Sequence, residues 1–203
     1  MNTDPAADAG PPVADLLSPG PRFSRNELQA MTLDGVLQCV FGDAYVPATE
    51  AVTRRLRAAA VALAIPPNMA GRTTVGRLSA AWVYGCAAAP ERITLLVDAG
   101  HRVATLRPWT GYWLHEVQLG RFDAVELEGC RITTPLRTAV DLALYVPHPA
   151  GAEALKLLAG TPGLGCPPGL IRAALLAQQR VPHRRAALAL VDSLGEPDPA
   201  RRP

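Results

Sequence analysis

The chain has 203 residues, and 49% of them are apolar, which is enough to build a substantial hydrophobic core. Twenty basic and 18 acidic residues leave a net charge of +2, which predicts neither a strong overall field nor an obligatory polyanionic partner. The four cysteines and four histidines stand apart from one another without metal-ligand or redox spacing, so we expect reduced thiols and no zinc site. The start lacks the features of a signal peptide and no apolar run could span a membrane, so we expect a soluble, cytoplasmic protein with no membrane partner.

The two ends of the chain have the composition of disordered segments. Residues 1–21 are rich in Pro, Gly, Ala and Asp, and residues 195–203 read GEPDPARRP. Neither segment carries enough apolar surface to offset the entropy that ordering it would cost. We therefore predict a disordered tail at each end.

Residues 22–50 are predicted to form a short winged helix. Ser24 with Glu27 three residues later is the signature of a capping box, which starts a first helix. Thr32 is a second N-cap candidate, and the apolar spacing behind it predicts a second helix to about Cys39. A Gly-Asp pair between apolar residues then predicts a tight hairpin. Helix, turn, helix and hairpin follow in the order of a compact winged helix.

Residues 51–194 are predicted to form one α+β domain, with a central sheet between helices. The segments TEAVTRRLRAAAVALA and TTVGRLSAAWVYG have helical patterns and end at Pro66 and Gly85. Strands are predicted for RITLLVD, GYWLHEVQL and DAVELEGCRIT, the last broken by Glu128–Gly129. The remaining segments are helical. The predicted class is α+β, a small N-terminal winged helix followed by a helix–sheet–helix domain.

The segment CRITTPLRTAVDLALYV contains an unusual charged pair beside an apolar helical stripe. Thr134 is placed to cap the helix, and Pro135 occupies its first turn, where a missing N–H costs nothing. Arg137 and Asp141 stand in the less favourable order for an isolated helical pair, so we expect separate partners. Arg137 should reach a strand carbonyl or an acidic residue, and Asp141 a backbone donor. No second acid, base or metal ligand lies nearby, so we predict a structural role.

Four stretches, in this order, resemble the AbiEi family of bacterial antitoxins, which belong to type IV toxin–antitoxin systems. The stretch FSRNELQAM…GDAYVP resembles the short N-terminal winged helix of that family, and RLRAAAVAL and RLSAAWVYG resemble the helices that follow. The stretch ITTPLRTAVDLAL is similar to the family motif Thr-(Ser/Thr)-Pro-x-Arg-Thr-x-x-Asp-Leu-Ala. The matching positions are Thr133, Thr134, Pro135, Arg137, Thr138, Asp141, Leu142 and Ala143.

The resemblance covers about residues 22–194 and implies a transcriptional regulator. Members of the family bind operator repeats in double-stranded DNA upstream of their own operon, through the winged helix and with help from the second domain. This implies an autorepressor that acts as a type IV antitoxin against a nucleotidyltransferase-like toxin, with or without direct contact. Two copies of the chain could form a homodimer.

Related chains often continue into an endonuclease domain similar to very-short-patch-repair enzymes. Such a nuclease needs carboxylates and usually a lysine around a metal ion. The only lysine of this chain, Lys156, lies in a predicted helix. We therefore predict that the protein is not an enzyme and has no catalytic residue, bound metal or cofactor.

The predicted recognition helix contains no Arg or Lys, so its cationic support has to come from flanking segments. Gln38 could bind an adenine edge, and Thr32 could bind either bases or phosphate. The residues predicted to contact DNA are Arg22, Arg25, Thr32, Gln38, Arg54, Arg55 and Arg57. The alternative is that these arginines only solvate outer helix faces. In that case the protein is an interaction module of the same fold, as its acidic N-terminal half suggests.

Overall fold

The computed structural model describes residues 15–100, 111–178 and 181–194, and within these ranges the chain is α+β, as expected. The helices are α1 (Arg25–Leu33), α2 (Arg54–Ala64), α3 (Arg77–Val83), α4 (Pro135–Tyr145), α5 (Ala150–Gly160), α6 (Pro168–Ala177) and α7 (Arg184–Leu194). The strands are β1 (Leu37–Phe41), β2 (Ala44–Pro47), β3 (Thr74–Val75), β4 (Ile93–Asp98), β5 (Tyr112–Val117), β6 (Ala124–Leu127) and β7 (Cys130–Thr133). In the part of the chain that is described, every helix is too short or too polar to cross a bilayer.

The strands form a two-stranded hairpin and a five-stranded mixed sheet. In the larger sheet the order is β5–β4–β3–β7–β6, with β4 parallel to β5 and β3 parallel to β7. The other neighbours are antiparallel. Residues Ile93 to Val97 of β4 are all buried, which explains the uninterrupted apolar run that predicted this strand.

The helix α3 lies between two hydrophobic cores. Trp82 and Val83 belong to a core that α3 shares with the hairpin, α2 and the sheet. Ala81 belongs to the second core, which is built mainly from α4 to α7. Val46 of the hairpin packs in the same core as Leu56 of α2, so this core extends across residue 50. Leu28, Leu37 and Tyr45 form a third, smaller core before it.

The predicted second helix from Thr32 to Cys39 is wrong. Thr32 lies inside α1, Gly35 turns the chain with φ of +74°, and the rest of the segment enters β1. The strand carries a β-bulge in which Val40 is the extra residue opposite β2. Leu37 packs with Leu28 and Tyr45, whereas Val40 packs with Val46 in the core shared with α2. Because both faces of the strand are covered, two buried apolar residues stand three apart, and this spacing imitates a helical stripe.

Two smaller predictions also need correction. The predicted tail 1–21 lies outside the described residues up to residue 14, but Leu17 pairs with Tyr45 of β2 through hydrogen bonds of 2.8 and 2.9 Å. The tail at 195–203 lies outside the described residues. The segment predicted as one helix before Gly85 begins with the strand β3, and only its second part is helical. Gly85 follows α3 with φ of +82°, as expected for a helix end.

Gly151 lies so close to the end of α4 that we expect a larger residue at this position to destabilise the protein. A Cβ atom at Gly151 would lie 2.6 Å from the carbonyl oxygen of Val146, and backbone cannot move aside as a side chain can. We expect Gly151→Ala to lower the free energy of unfolding by about 1–3 kcal/mol in urea denaturation. Gly160→Ala is the control in the same helix, where a Cβ meets nothing within 4 Å. It should be neutral or stabilise by up to about 1 kcal/mol, and an equal loss in both variants would contradict this packing.

Candidate functional site

The helix α1 and the β1–β2 hairpin form a small unit, here called the head, at the N-terminal end of the described chain. The expected capping box is present: the Glu27 N–H donates to Ser24 Oγ at 3.3 Å, and the Ser24 N–H donates to Glu27 Oε2 at 2.7 Å. These hydrogen bonds hold the pKa of Glu27 below its usual value. Leu28 is the one fully buried residue of α1, so most of this helix faces solvent.

The outer face of α1 was not recognised from the sequence as a candidate site. Asn26, Gln29, Ala30 and Leu33 follow at i, i+3, i+4 and i+7, and all four are exposed. Leu33 is 89% exposed, which is unusual for a leucine. The side chain of Arg25, at the start of the helix, forms an ion pair with Asp43 in the hairpin turn and so fastens α1 to the hairpin.

Two of the predicted DNA-contacting residues are engaged in holding the head together. The Thr32 hydroxyl donates to the Leu28 carbonyl at 2.8 Å, within α1. The Gln38 amide donates to three backbone carbonyls in the segment after β2, at 3.2, 3.2 and 2.6 Å. The carbonyls belong to Pro47, Ala48 and Glu50. The Gln38 amide is therefore engaged in fixing the exit of the hairpin.

The five predicted arginines do not all gather around the head. Arg22 is exposed, and Arg25 lies on the hairpin turn. Arg55 pairs with Glu128 in the turn between β6 and β7. Arg57 donates to the Trp82 carbonyl at 3.2 Å and lies 5.8 Å from the centre of the Trp82 ring. The remaining one, Arg54, is partly buried. The guanidinium groups of Arg55 and Arg57 thus bind the sheet and α3.

The guanidinium group of Arg137 binds three partners. Its Nε donates to Asp141 Oδ1 at 2.9 Å, and its Nη1 donates to the Gln118 carbonyl at 3.0 Å and to Asp123. The expectation that Arg137 reaches a strand-end carbonyl and an acid is confirmed. The expectation that Asp141 turns to a backbone donor is wrong, because the two residues pair along α4. Thr134 caps the helix by accepting the Arg137 N–H at 3.3 Å, and Pro135 occupies the first turn, as predicted.

The charges of Arg137, Asp141 and Asp123, here called the Arg137 cluster, interact strongly because the cluster is largely buried. The side chain of Arg137 is 12% exposed and that of Asp141 is 3% exposed. Burial alone would lower the pKa of Arg137, but Asp141 and Asp123 together outweigh it and raise the pKa. Burial raises the pKa of Asp141, although Arg137 and Arg77 oppose it. Within the described residues, Asp141 Oδ2 has no hydrogen-bond partner.

The described residues contain no group of three His, Cys, Asp or Glu side chains that could hold a metal ion. Neither a protein-family model nor a curated protein matches the sequence. The likeness to AbiEi antitoxins therefore rests on the four motifs of the chain alone.

The burial of the Arg137 cluster predicts that removing Arg137 is costly. We expect Arg137→Ala to lower the free energy of unfolding by about 3–5 kcal/mol, because it leaves the Asp141 carboxylate buried without its partner. Urea denaturation measures this change. The matched control is Arg172→Ala, since Arg172 pairs with Asp192 at 2.9 Å with side chains 51% and 54% exposed. That variant should lose no more than about 1 kcal/mol. Similar losses in both would show that Arg137 contributes no more than a surface pair.

Proposed function

We propose that the protein is a DNA-binding transcriptional autorepressor that contacts double-stranded DNA through the head. The observation that supports this most directly is the outer face of α1, which presents Asn26, Gln29 and Leu33 to solvent immediately before the hairpin. In DNA-binding modules of this kind a helix enters the major groove and neighbouring elements contact the backbone. A helix of nine residues is about 13 Å long, a suitable length for reading a few base pairs.

The chemistry of this face suits base edges. Asn and Gln amides can bind adenine through N6 and N7, and an apolar side chain can contact a thymine methyl group. Arg22 and Arg25 lie beside the face and supply cations for phosphate contacts. Arg25 is paired with Asp43, so a phosphate that binds Arg25 has to compete with this carboxylate.

The head carries one more acidic than basic residue, which argues that a single copy binds DNA weakly. Two cations, Arg22 and Arg25, stand against the acids Glu27, Asp34 and Asp43 over residues 22–43. Two copies on neighbouring operator repeats would add their contacts, because the second head then binds at a high effective concentration. We therefore propose that the repressing form contains two copies of the chain.

The motif resemblance extends the proposal to an antitoxin of a type IV system, acting against a nucleotidyltransferase-like toxin. This half of the proposal does not need a stable complex between the two proteins. Co-expression with a nucleotidyltransferase-like reading frame next to the gene tests it. We expect the wild-type chain to restore growth of cells that express the toxin, and no effect on growth would contradict the antitoxin role.

A second candidate is a protein-interaction module of the same fold. Leu33 and Val36, which are 89% and 54% exposed, lie close together at the end of α1 and form an apolar spot on the head. The engagement of Arg55 and Arg57 by the sheet and α3 also favours this alternative. The two candidates differ in their key residues, because DNA reading needs Asn26 and Gln29 whereas a protein interface needs Leu33.

The DNA proposal predicts loss of sequence discrimination when the amides of α1 are removed. We expect Asn26→Ala and Gln29→Ala each to weaken binding to the upstream DNA by about 1–3 kcal/mol, since each removes a contact to a base edge. Fluorescence anisotropy with the upstream duplex and a scrambled duplex, at two salt concentrations, measures the change. The salt dependence should stay as in the wild type, because neither residue carries a charge.

Two further variants complete this test. Asn68→Ala removes an exposed amide outside the head and should bind as the wild type does. Asp43→Asn removes the carboxylate that competes for Arg25, so it should strengthen binding to both duplexes and make the salt dependence steeper. Equal binding of the upstream and scrambled duplexes by the wild type, or equal behaviour of Asn26→Ala and Asn68→Ala, would reject DNA reading by α1.

A further inference from the structure

A cleft of about 660 Å³ lies between the chain after β5, the start of α3, and α4. Its size is typical of small-molecule sites. Its walls include Arg77, Arg137, Asp123, Tyr145, Gln178 and the backbone of residues 116–120. The cleft is distinct from the outer face of α1, and neither the motif analysis nor the DNA proposal accounts for it.

Arg77 lines this cleft, and its backbone conformation is unusual. Its φ is +53°, in the left-handed region that residues with a Cβ rarely adopt. Such conformations persist only where the surrounding structure holds them, and they cluster at functional sites. The preceding Gly76 is held tightly too, because a Cβ there would lie 2.4 Å from Leu96 Cδ1. The chain therefore keeps an arginine at a position that glycine would occupy with less strain.

The guanidinium group of Arg77 is bound by neutral partners. Its Nη1 lies 2.9 Å from His115 Nε2, and its Cζ lies 5.3 Å from the centre of the Tyr145 ring. Since a guanidinium group can only donate, His115 Nε2 accepts and the imidazole is neutral. Burial and the charge of Arg77 both lower the pKa of His115, which agrees with a neutral ring.

Arg77 is thus a cation without a hydrogen-bonded counter-ion. Among the described residues, no carboxylate is hydrogen-bonded to Arg77, and its buried Nε has no partner. Asp141 acts on Arg77 only through longer-range attraction. Arg137, on the neighbouring wall, is already paired with two carboxylates. An anionic group of a ligand in the cleft would therefore be stabilised more by Arg77 than by Arg137.

We propose that the cleft binds a small organic molecule whose single phosphate or carboxylate group is held by Arg77. Glu116 and Asp123 also line the cleft, so a polyanion is disfavoured, while carboxylate and carbonyl oxygens are acceptors for hydroxyl or amino groups of a ligand. Gln178 is a further polar residue in the lining. The ligand class is a small anion that carries hydrogen-bond donors, as in a sugar phosphate or a hydroxy acid.

Isothermal titration calorimetry at constant ionic strength tests this proposal. The probes are ribose 5-phosphate, gluconate and inorganic phosphate, titrated into the wild-type protein. We expect ribose 5-phosphate or gluconate to bind with a Kd of about 1 mM or below. Binding of the sugar phosphate alone assigns a phosphate ligand, and binding of gluconate alone assigns a carboxylate. No heat from any probe up to about 10 mM overturns the proposal.

The variant Arg77→Gly separates binding from folding. Glycine accepts the left-handed backbone, which offsets the loss of the contacts with His115 and Tyr145, so the protein should stay folded in thermal denaturation, whereas binding should weaken at least tenfold. The control is Arg121→Ala, which removes an exposed arginine that stacks on Phe122 outside the cleft. Wild-type affinity in the glycine variant, or equal losses in both variants, would overturn the assignment to Arg77. Neither result depends on DNA binding by α1.

Discussion

The guanidinium group of Arg137 joins the helical half of the protein to its sheet. It binds Asp141 on its own helix, and it also binds the Gln118 carbonyl and Asp123 in the connection between β5 and β6. A buried cation needs this many acceptors, because it has given up its hydration. The ion pair along α4 is therefore only one part of a larger network. By holding the connection against α4, Arg137 also fixes one wall of the cleft in which Arg77 lies.

Local signals in the sequence were sufficient where one short segment determines an element. The capping box of α1, the Thr134–Pro135 start of α4 and the buried run of β4 all act over a few residues, and each element forms as predicted. The prediction of a second helix failed because β1 is covered on both faces, which leaves buried side chains three residues apart. β3 was missed because two residues carry no periodicity, and this strand exists through its pairing with β4 and β7.

The candidate sites were less predictable because they depend on contacts between distant residues. Gln38 resembled a base-reading amide, but only the folded hairpin brings the carbonyls of Pro47, Ala48 and Glu50 within its reach. Asn26 and Gln29 were overlooked, since the outer face of α1 gains interest only once β1 replaces the expected second helix. The left-handed backbone of Arg77 could not be predicted from the residue types around it, apart from the glycine that precedes it.

The position of α3 ties the two hydrophobic cores to each other. Trp82 and Val83 fill one core, while Ala81, their neighbour in sequence, fills the other. Packing at this density leaves little room for a helix to shift on one side only. Loosening either core therefore withdraws support from the other through this one helix, whereas Leu28, Leu37 and Tyr45 give the head a small core of its own.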